Sequence, residues 1–332
     1  MTSKIWTVAD AFSSRKDNQY SRWSVNNVST GGNVSYYVAS DRVFSRSNVI
    51  CDVAINPSFK LSNNARVFTI GSCFARNIER NLSERGFAIL SNLQLDSRYV
   101  QKIPGETSGF LNRFTVKSIV SELKLATGSV DGRKAICEHQ GEIYWQTLIR
   151  AANVLGLEEA LFLRSLITDL YKNISSSDLL IITLGLTETW IDSDTGLGMN
   201  GPPPPPVSRL FPGRFYFVNE DVQTTINGIK LALNLIRILS PEIKSVFTVS
   251  PVPLGSTFGG EDIVLANSIS KSTLRVAIQS AIEGEDGCDY FPSYEMAMWG
   301  DPQKVWANDA LHVREDAVSL ITQKFVDSYL QS

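Results

Sequence analysis

Histidine is scarce in this chain: His139 and His312 are the only two in 332 residues. Any chemistry that needs an imidazole must use one of them, and a metal site built on three histidines is excluded. The four cysteines, Cys51, Cys73, Cys137 and Cys288, form no C-x-x-C pair. That excludes a zinc knuckle and a dithiol redox motif, and reduced, packed thiols are expected. No stretch approaches the roughly 18 consecutive apolar residues that span a bilayer. Met1 to Tyr20 is polar where a secretory signal would carry an apolar core, so a cytoplasmic protein with no membrane span is expected. A basic excess is also missing: thirty-one Lys and Arg against thirty-four Asp and Glu give a net charge of -3. Neutralising phosphates needs the opposite balance, which argues against a nucleic-acid partner. No G-x-G-x-x-G follows the first strand, which counts against a dinucleotide-binding domain.

What is present is the balance of a globular protein, 43% hydrophobic and 20% charged, long enough to bury one large core. Residues 1–55 are rich in Ser, Asn and Asp with scattered aromatics (Trp6, Trp23, Tyr36, Tyr37) and no sustained period. They read as an irregular N-terminal extension, with 56–332 as the folded domain. From Arg66 the pattern sharpens. Arg66 to Ile70 is a short β-rich run, Gly71-Ser72 breaks it, and Phe74, Ile78 and Leu82 recur every four residues in a helix that ends near Gly86. Phe87 to Leu90 follows as a second strand, completing a β-α-β unit.

Farther on, Phe114 to Ala126 and Glu158 to Ile174 are amphipathic helices, and Asp178 to Leu184 is a nearly continuous apolar strand of the kind covered on both faces. Five prolines, Pro202 to Pro206, read as a stiff extended loop. A helix over Val222 to Leu239, a strand over Ser245 to Val249, a helix over Asp262 to Ile282, a short strand at Cys288 to Phe291 and a last helix over Glu315 to Tyr329 complete the alternation. The pattern predicts an open, doubly wound α/β domain around a parallel sheet.

In such a sheet ligands bind beyond the carboxyl ends of the strands. Three polar signals fall there: Gly71-Ser72, Gly185-Leu186-Thr187-Glu188, and Asn308-Asp309-Ala310-Leu311-His312 before the last helix. A serine that opens a helix has its N–H where unpaired amides and the macrodipole favour an oxyanion. Serine is equally a good helix N-cap, and the residue alone does not decide between the two. A nucleophilic serine needs a base, and Asp309-x-x-His312 supplies an imidazole with a carboxylate placed to fix its tautomer. Read structurally, the same pair is a capping Asp beside a surface His.

Beyond single residues, Ile70-Gly71-Ser72-Cys73-Phe74-Ala75 resembles the signature of the GSCFA family, a branch of the SGNH hydrolase superfamily. The resemblance extends over about Asn56 to Ser328, through Asn56-Pro57-Ser58-Phe59, Phe110 to Thr115, Thr183 to Trp190, Ser250 to Leu254, Ala266 to Ser272, Tyr290 to Glu295 and the Asp309/His312 pair. It implies a three-layer α/β/α sandwich with a central parallel sheet, and hydrolysis or transfer of an acyl ester, with carbohydrate as the substrate class and no metal or cofactor. It assigns Ser72 as nucleophile, His312 as base and Asp309 as its orienting partner, with the Ser72 N–H as first oxyanion donor.

The superfamily's glycine-x-asparagine block corresponds to Gly185-Leu186-Thr187, so a hydroxyl stands where a carboxamide donor is usual. That leaves Asn112 to fill the role, unless it caps the helix after it. A glycine whose N–H also donates to the oxyanion has Gly105 and Gly109 as candidates. Glu188 and Trp190 follow the same strand end as pocket-lining residues, although a Trp there also serves as a core wall. Lys271 and Arg275, four apart on a helix, read as a solvated basic stripe or as a subsite for an anionic group. Cys73 reads as a packed small side chain. A competing expectation, motivated by Thr187, is a non-catalytic carbohydrate-binding or assembly protein on the same fold.

Overall fold

The computed structural model describes residues 27–29, 35–37, 49–93, 109–141, 143–149 and 156–331. Five parallel strands form the central sheet: β1 (Arg66–Gly71), β2 (Ala88–Ile89), β3 (Leu179–Leu184), β4 (Lys244–Val249) and β5 (Cys288–Tyr290). Their order is β2-β1-β3-β4-β5, every neighbouring pair parallel. Six longer helices connect or flank them: α1 (Cys73–Glu84), α2 (Val116–Ala126), α3 (Leu157–Lys172), α4 (Val222–Leu239), α5 (Ile263–Ile282) and α6 (Glu315–Tyr329).

Alternation along the strands builds the layers. Val67, Leu179, Ile181 and Val246 point to one face, against Phe74, Ile78 and Leu82 of α1 and Ile321 and Phe325 of α6. Phe68, Ile70, Leu180, Ile182, Phe247 and Val249 point to the other, against residues of α2 to α5 such as Ile119, Ile167, Ile229 and Leu274. The result is the α/β/α sandwich that the resemblance implies, around the parallel sheet that the alternation of elements predicts. Val49, Ile50, Val53 and Ile55, which the sequence reading places in the extension, pack on the α1/α6 face.

Among the departures from the sequence reading are two that follow β3. After β3 the chain makes an antiparallel ribbon, Glu188–Asp192 between Gly198–Met199 and Phe215–Asn219, where no strands were expected. Arg214 fastens it by a bidentate pair to buried Asp192, both contacts 2.8 Å. The proline run is only partly extended: Pro205 and Pro206 open a short helix, Pro205–Leu210. Prolines are tolerated there because the first helical N–H groups have no intrahelical acceptor.

Beneath the loop before α2 lies a buried ionic triad. Glu122 of α2 accepts from Nε and Nη2 of Arg113, and from Nη1 and Nη2 of Arg164 on α3 at 3.2 and 2.5 Å. All three side chains are almost wholly buried. Burial pushes the Glu122 carboxyl up, but the guanidiniums outweigh it and the net shift is downward. Arg113 also donates to the carbonyls of Phe110 and Asn112, at 2.9 and 2.6 Å, which fixes that loop over the end of β1.

Candidate active site

The strand order reverses its direction between β1 and β3, and this switch point is where an open parallel sheet leaves a crevice. Gly71 ends β1 with φ of 150°, opposite Thr183 in the register. A Cβ added there would overlap the Thr183 carbonyl oxygen and lie 2.7 Å from Thr183 Cβ. Only glycine admits both the backbone angle and the approach. Ser72 follows as N-cap of α1, its Oγ accepting from Phe74 N at 3.3 Å. The capping reading of Ser72 is therefore true, and it coexists with its place in a cleft.

That cleft, about 380 Å³, is lined by Ser72, Asn112, Glu188, Trp190, Ser250 and His312 among others. The three polar signals at the strand ends converge there. Ser72 lies at the floor, 3% exposed, and the His312 side chain at the rim, 59% exposed. Asp309 Oδ2 meets His312 Nδ1 at 2.6 Å, while Asp309 Oδ1 accepts from the N–H groups of Leu311 and His312, both at 2.9 Å. The His312 side chain and these two amides hold the Asp309 carboxyl well below the usual carboxylate range. Ala310, inside this turn, takes a left-handed φ of 56°, so the two amides converge on one oxygen. The Ser72 hydroxyl bonds to Ser250 Oγ at 3.1 Å rather than to His312. His139, the alternative imidazole, packs its ring on Phe211 instead, with centroids 5.8 Å apart.

Asn112 lines the cleft with its Oδ1 buried and unpaired among the described residues. It does not cap the next helix: Thr115 does, through a capping box with Ser118. Thr187 is withdrawn from the site. It does not line the cleft, and its hydroxyl donates to Asn219 Oδ1 at 2.7 Å, so it has no proton to offer an oxyanion. Gly109 opens the turn Gly109–Leu111 and does not line the cleft either, and Gly105 lies outside the described residues.

Glu188 lines the cleft as a tie, accepting from the Thr257 hydroxyl and, at 3.0 Å, from Phe258 N. Trp190 forms a wall with Phe217 and Phe258, at centroid distances of 5.6 and 5.3 Å. Cys73 also borders the cleft.

The basic stripe is corrected as well. Arg275 pairs with Glu295 at 3.1 Å and lies over the Tyr290 ring, whereas Lys271 is 1% exposed. Burial pushes the Lys271 amine down to about 7. An unfolded chain keeps a lysine protonated to about 10.4, so it binds a proton that the folded chain has lost between those values. Stability is expected to rise with pH through that window by this group's share. Denaturant titrations of wild type and Lys271→Met at pH 7 and pH 9 check it, the rise being smaller in the variant.

Sequence reasoning missed Ser250 and Asn200. Ser250 carried the same signal as Ser72, a small polar residue directly after an apolar strand. Asn200 carried none: it comes from the ribbon and grips the Asn112 segment, donating to Asn112 O and accepting from Phe114 N at 3.2 Å.

Fold and site together define an open three-layer α/β/α protein with a serine, a histidine and an aspartate gathered at the switch point of its sheet. The chain belongs to the GSCFA family, which matches residues 66–325. No curated protein matches the sequence. Solved structures similar to it include a family 3 carbohydrate esterase of Clostridium thermocellum, at 10% identity over 80% of this chain and 94% of that one, TM-score 0.36. Another is a family 3 carbohydrate esterase from Talaromyces cellulolyticus, at 10% identity over 79% and 94%, TM-score 0.38. Among the described residues no helix is long and apolar enough to cross a membrane, and no three His, Cys, Asp or Glu are grouped to hold a metal ion.

Proposed function

We propose that this protein is a serine-dependent acyl-ester enzyme, a hydrolase or O-acyltransferase for acetyl or other acyl groups on a carbohydrate or glycan precursor. The observation that carries the reading is one cleft with Ser72 at its floor and His312 at its rim, the imidazole tied to Asp309 through Nδ1. Asp309 fixes the tautomer and leaves Nε2 as the base. Ser72 Oγ attacks the ester carbonyl while its proton passes to His312. The tetrahedral oxyanion is met by the Ser72 N–H and the Asn112 carboxamide. Collapse breaks the bond to the alcohol, which takes the proton from His312, and water or an acceptor hydroxyl then releases the acyl group by the same steps. The carbohydrate class comes from the family resemblance, and Trp190 offers a sugar an apolar wall. A cytoplasmic setting belongs to the same proposal, and recovery of the protein from a periplasmic or medium fraction would contradict it.

The test is whole-protein mass spectrometry after exposure to a fluorophosphonate, with p-nitrophenyl acetate turnover alongside. A single adduct mapped to Ser72 is expected. For the oxyanion role, Asn112→Ala is expected to lower kcat about 10²- to 10³-fold, and an unchanged kcat would remove Asn112 from it. One observation favours a binding or assembly protein instead, the Ser72 hydroxyl turned to Ser250. Catalytic hydrogen bonds often form only with substrate in place, so an unlabelled, inactive wild type is the outcome that selects this second reading.

A further inference from the structure

Helix α5 turns polar residues inward. Its Val264, Leu265 and Ile269 are exposed, while Ser270 and Lys271 are buried. Asn267, Ser270 and Lys271 share one helical face by spacing, and each holds backbone at the carboxyl ends of β3 and β4. Asn267 Oδ1 accepts from Leu254 N at 3.1 Å, and Ser270 Oγ from Thr187 N at 3.0 Å. Lys271 Nζ donates to Gly185 O at 2.8 Å and to Val252 O at 2.7 Å. Both carbonyls flank the nucleophile. A Cβ added to Gly185 would lie 3.6 Å from Ser72 Cβ, and Val252 stands two residues beyond Ser250, which holds the Ser72 hydroxyl.

Lys271 has no carboxylate partner among the described residues. The one titratable side chain there that acts on it is the Cys73 thiol, adjacent to Ser72 on α1; none from α4, β4, β5 or the two loops does. A buried cation held only by carbonyl dipoles is costly. The clamp itself does not need the charge, because a neutral amine keeps two N–H groups for two carbonyls.

We propose that Lys271 is a positioning residue of the Ser72 site, clamping the two loops beside the nucleophile and taking up a proton behind it as the anionic tetrahedral state forms. The proposal rests on the acyl-ester reading above. A charge taken up in a water-poor wall as the anion forms acts on the reaction's developing charge, so its effect falls on kcat rather than on substrate binding. By reciprocity, an anion formed on Ser72 raises the proton affinity of Lys271.

The probe is phenylboronic acid. Its boron bonds to Ser72 Oγ and becomes tetrahedral and negative, while the hydroxyl proton moves to His312, so apart from the minor fraction of probe already ionised, measured separately, these groups exchange no proton with solvent. Calorimetry of wild type at pH 8, in buffers of differing ionisation enthalpy, is expected to show uptake of up to one proton, taken by Lys271. In Lys271→Met the uptake is expected to vanish, and kcat for p-nitrophenyl acetate to fall about 10- to 100-fold with KM held within about twofold, less than removal of a direct donor. Boronate binding to wild type without proton uptake overturns the proposal, as does an unchanged kcat in a folded Lys271→Met. If that variant does not fold, the wild-type proton uptake decides alone. A wild type that neither binds boronate nor turns over ester overturns the acyl-ester reading, and this proposal with it.

Discussion

Ser72→Ala and His312→Ala are each expected to lower kcat for a simple ester by roughly 10⁴- to 10⁶-fold, and the double variant no further. The non-additivity is the informative part, because a serine and its base act as one unit and removing either disables both. Nearby groups offer no substitute. Ser250, 3.1 Å from the Ser72 hydroxyl, lines the same cleft but opens no helix whose amides would meet an oxyanion, and His139 packs against Phe211. Turnover in Ser72→Ala above about one part in a hundred of wild type would move the nucleophile to another residue. Asp309→Asn is expected to leave the fold intact and to lower kcat by about 10⁴-fold through the wrong imidazole tautomer. Because His312 and two amides hold the Asp309 carboxyl well below the ordinary range, Asp309 is expected to set no limb of a rate profile near neutrality.

The largest loss of stability is expected from Glu122→Gln. The substitution keeps the shape of the side chain and leaves the Arg113 and Arg164 guanidiniums buried without an anion. Removing one partner of a buried ion pair typically costs about 3–5 kcal/mol, and here one carboxylate serves two cations. Urea titration should show that loss as a lower midpoint at unchanged slope. The sign with pH follows from the direction of the shift. Glu122 is held below its unfolded value near 4.3, so its contribution is complete above that value and lost as pH falls through the folded one. A loss under about 1 kcal/mol would show that the carboxylate does not carry the triad. Arg113 also holds the carbonyls of Phe110 and Asn112, so any folded Glu122→Gln protein is expected to lose kcat as well.

Much of this was legible in the sequence where one local rule decides the outcome. The strand, the tight Gly71 turn and the helix opened by Ser72 follow from a β-rich run, a break and a period-four run. Their sum predicts the sheet and the end of it that carries the cleft. The failures share a cause: they depend on what a segment packs against. Spacing shows that Lys271 and Arg275 share a helical face, but not that α5 buries its lysine against two strand ends and exposes Val264, Leu265 and Ile269. Thr187 sits at the expected position, but its hydroxyl is taken by Asn219 of a ribbon strand the sequence reading passed over. The ribbon itself was marked by turn residues, Ser193 to Gly196 and Pro212-Gly213, that the sequence reading passed over. Asn200 is visible only once that ribbon is folded.

Ser72 belongs to the first strand-helix unit of the sheet, whereas Asp309 and His312 lie just before α6. Helix α6 packs on α1, with Arg85 donating to Ser319 O and Oγ at 3.2 and 2.9 Å. On the acyl-ester reading, synthesis therefore delivers the nucleophile well before its base. A nascent chain that has not reached Asp309 carries Ser72 and its helix N-terminus without that imidazole. On the acyl-ester reading, an activated serine is expected only once the segment ahead of α6 has brought Asp309 and His312 to the cleft.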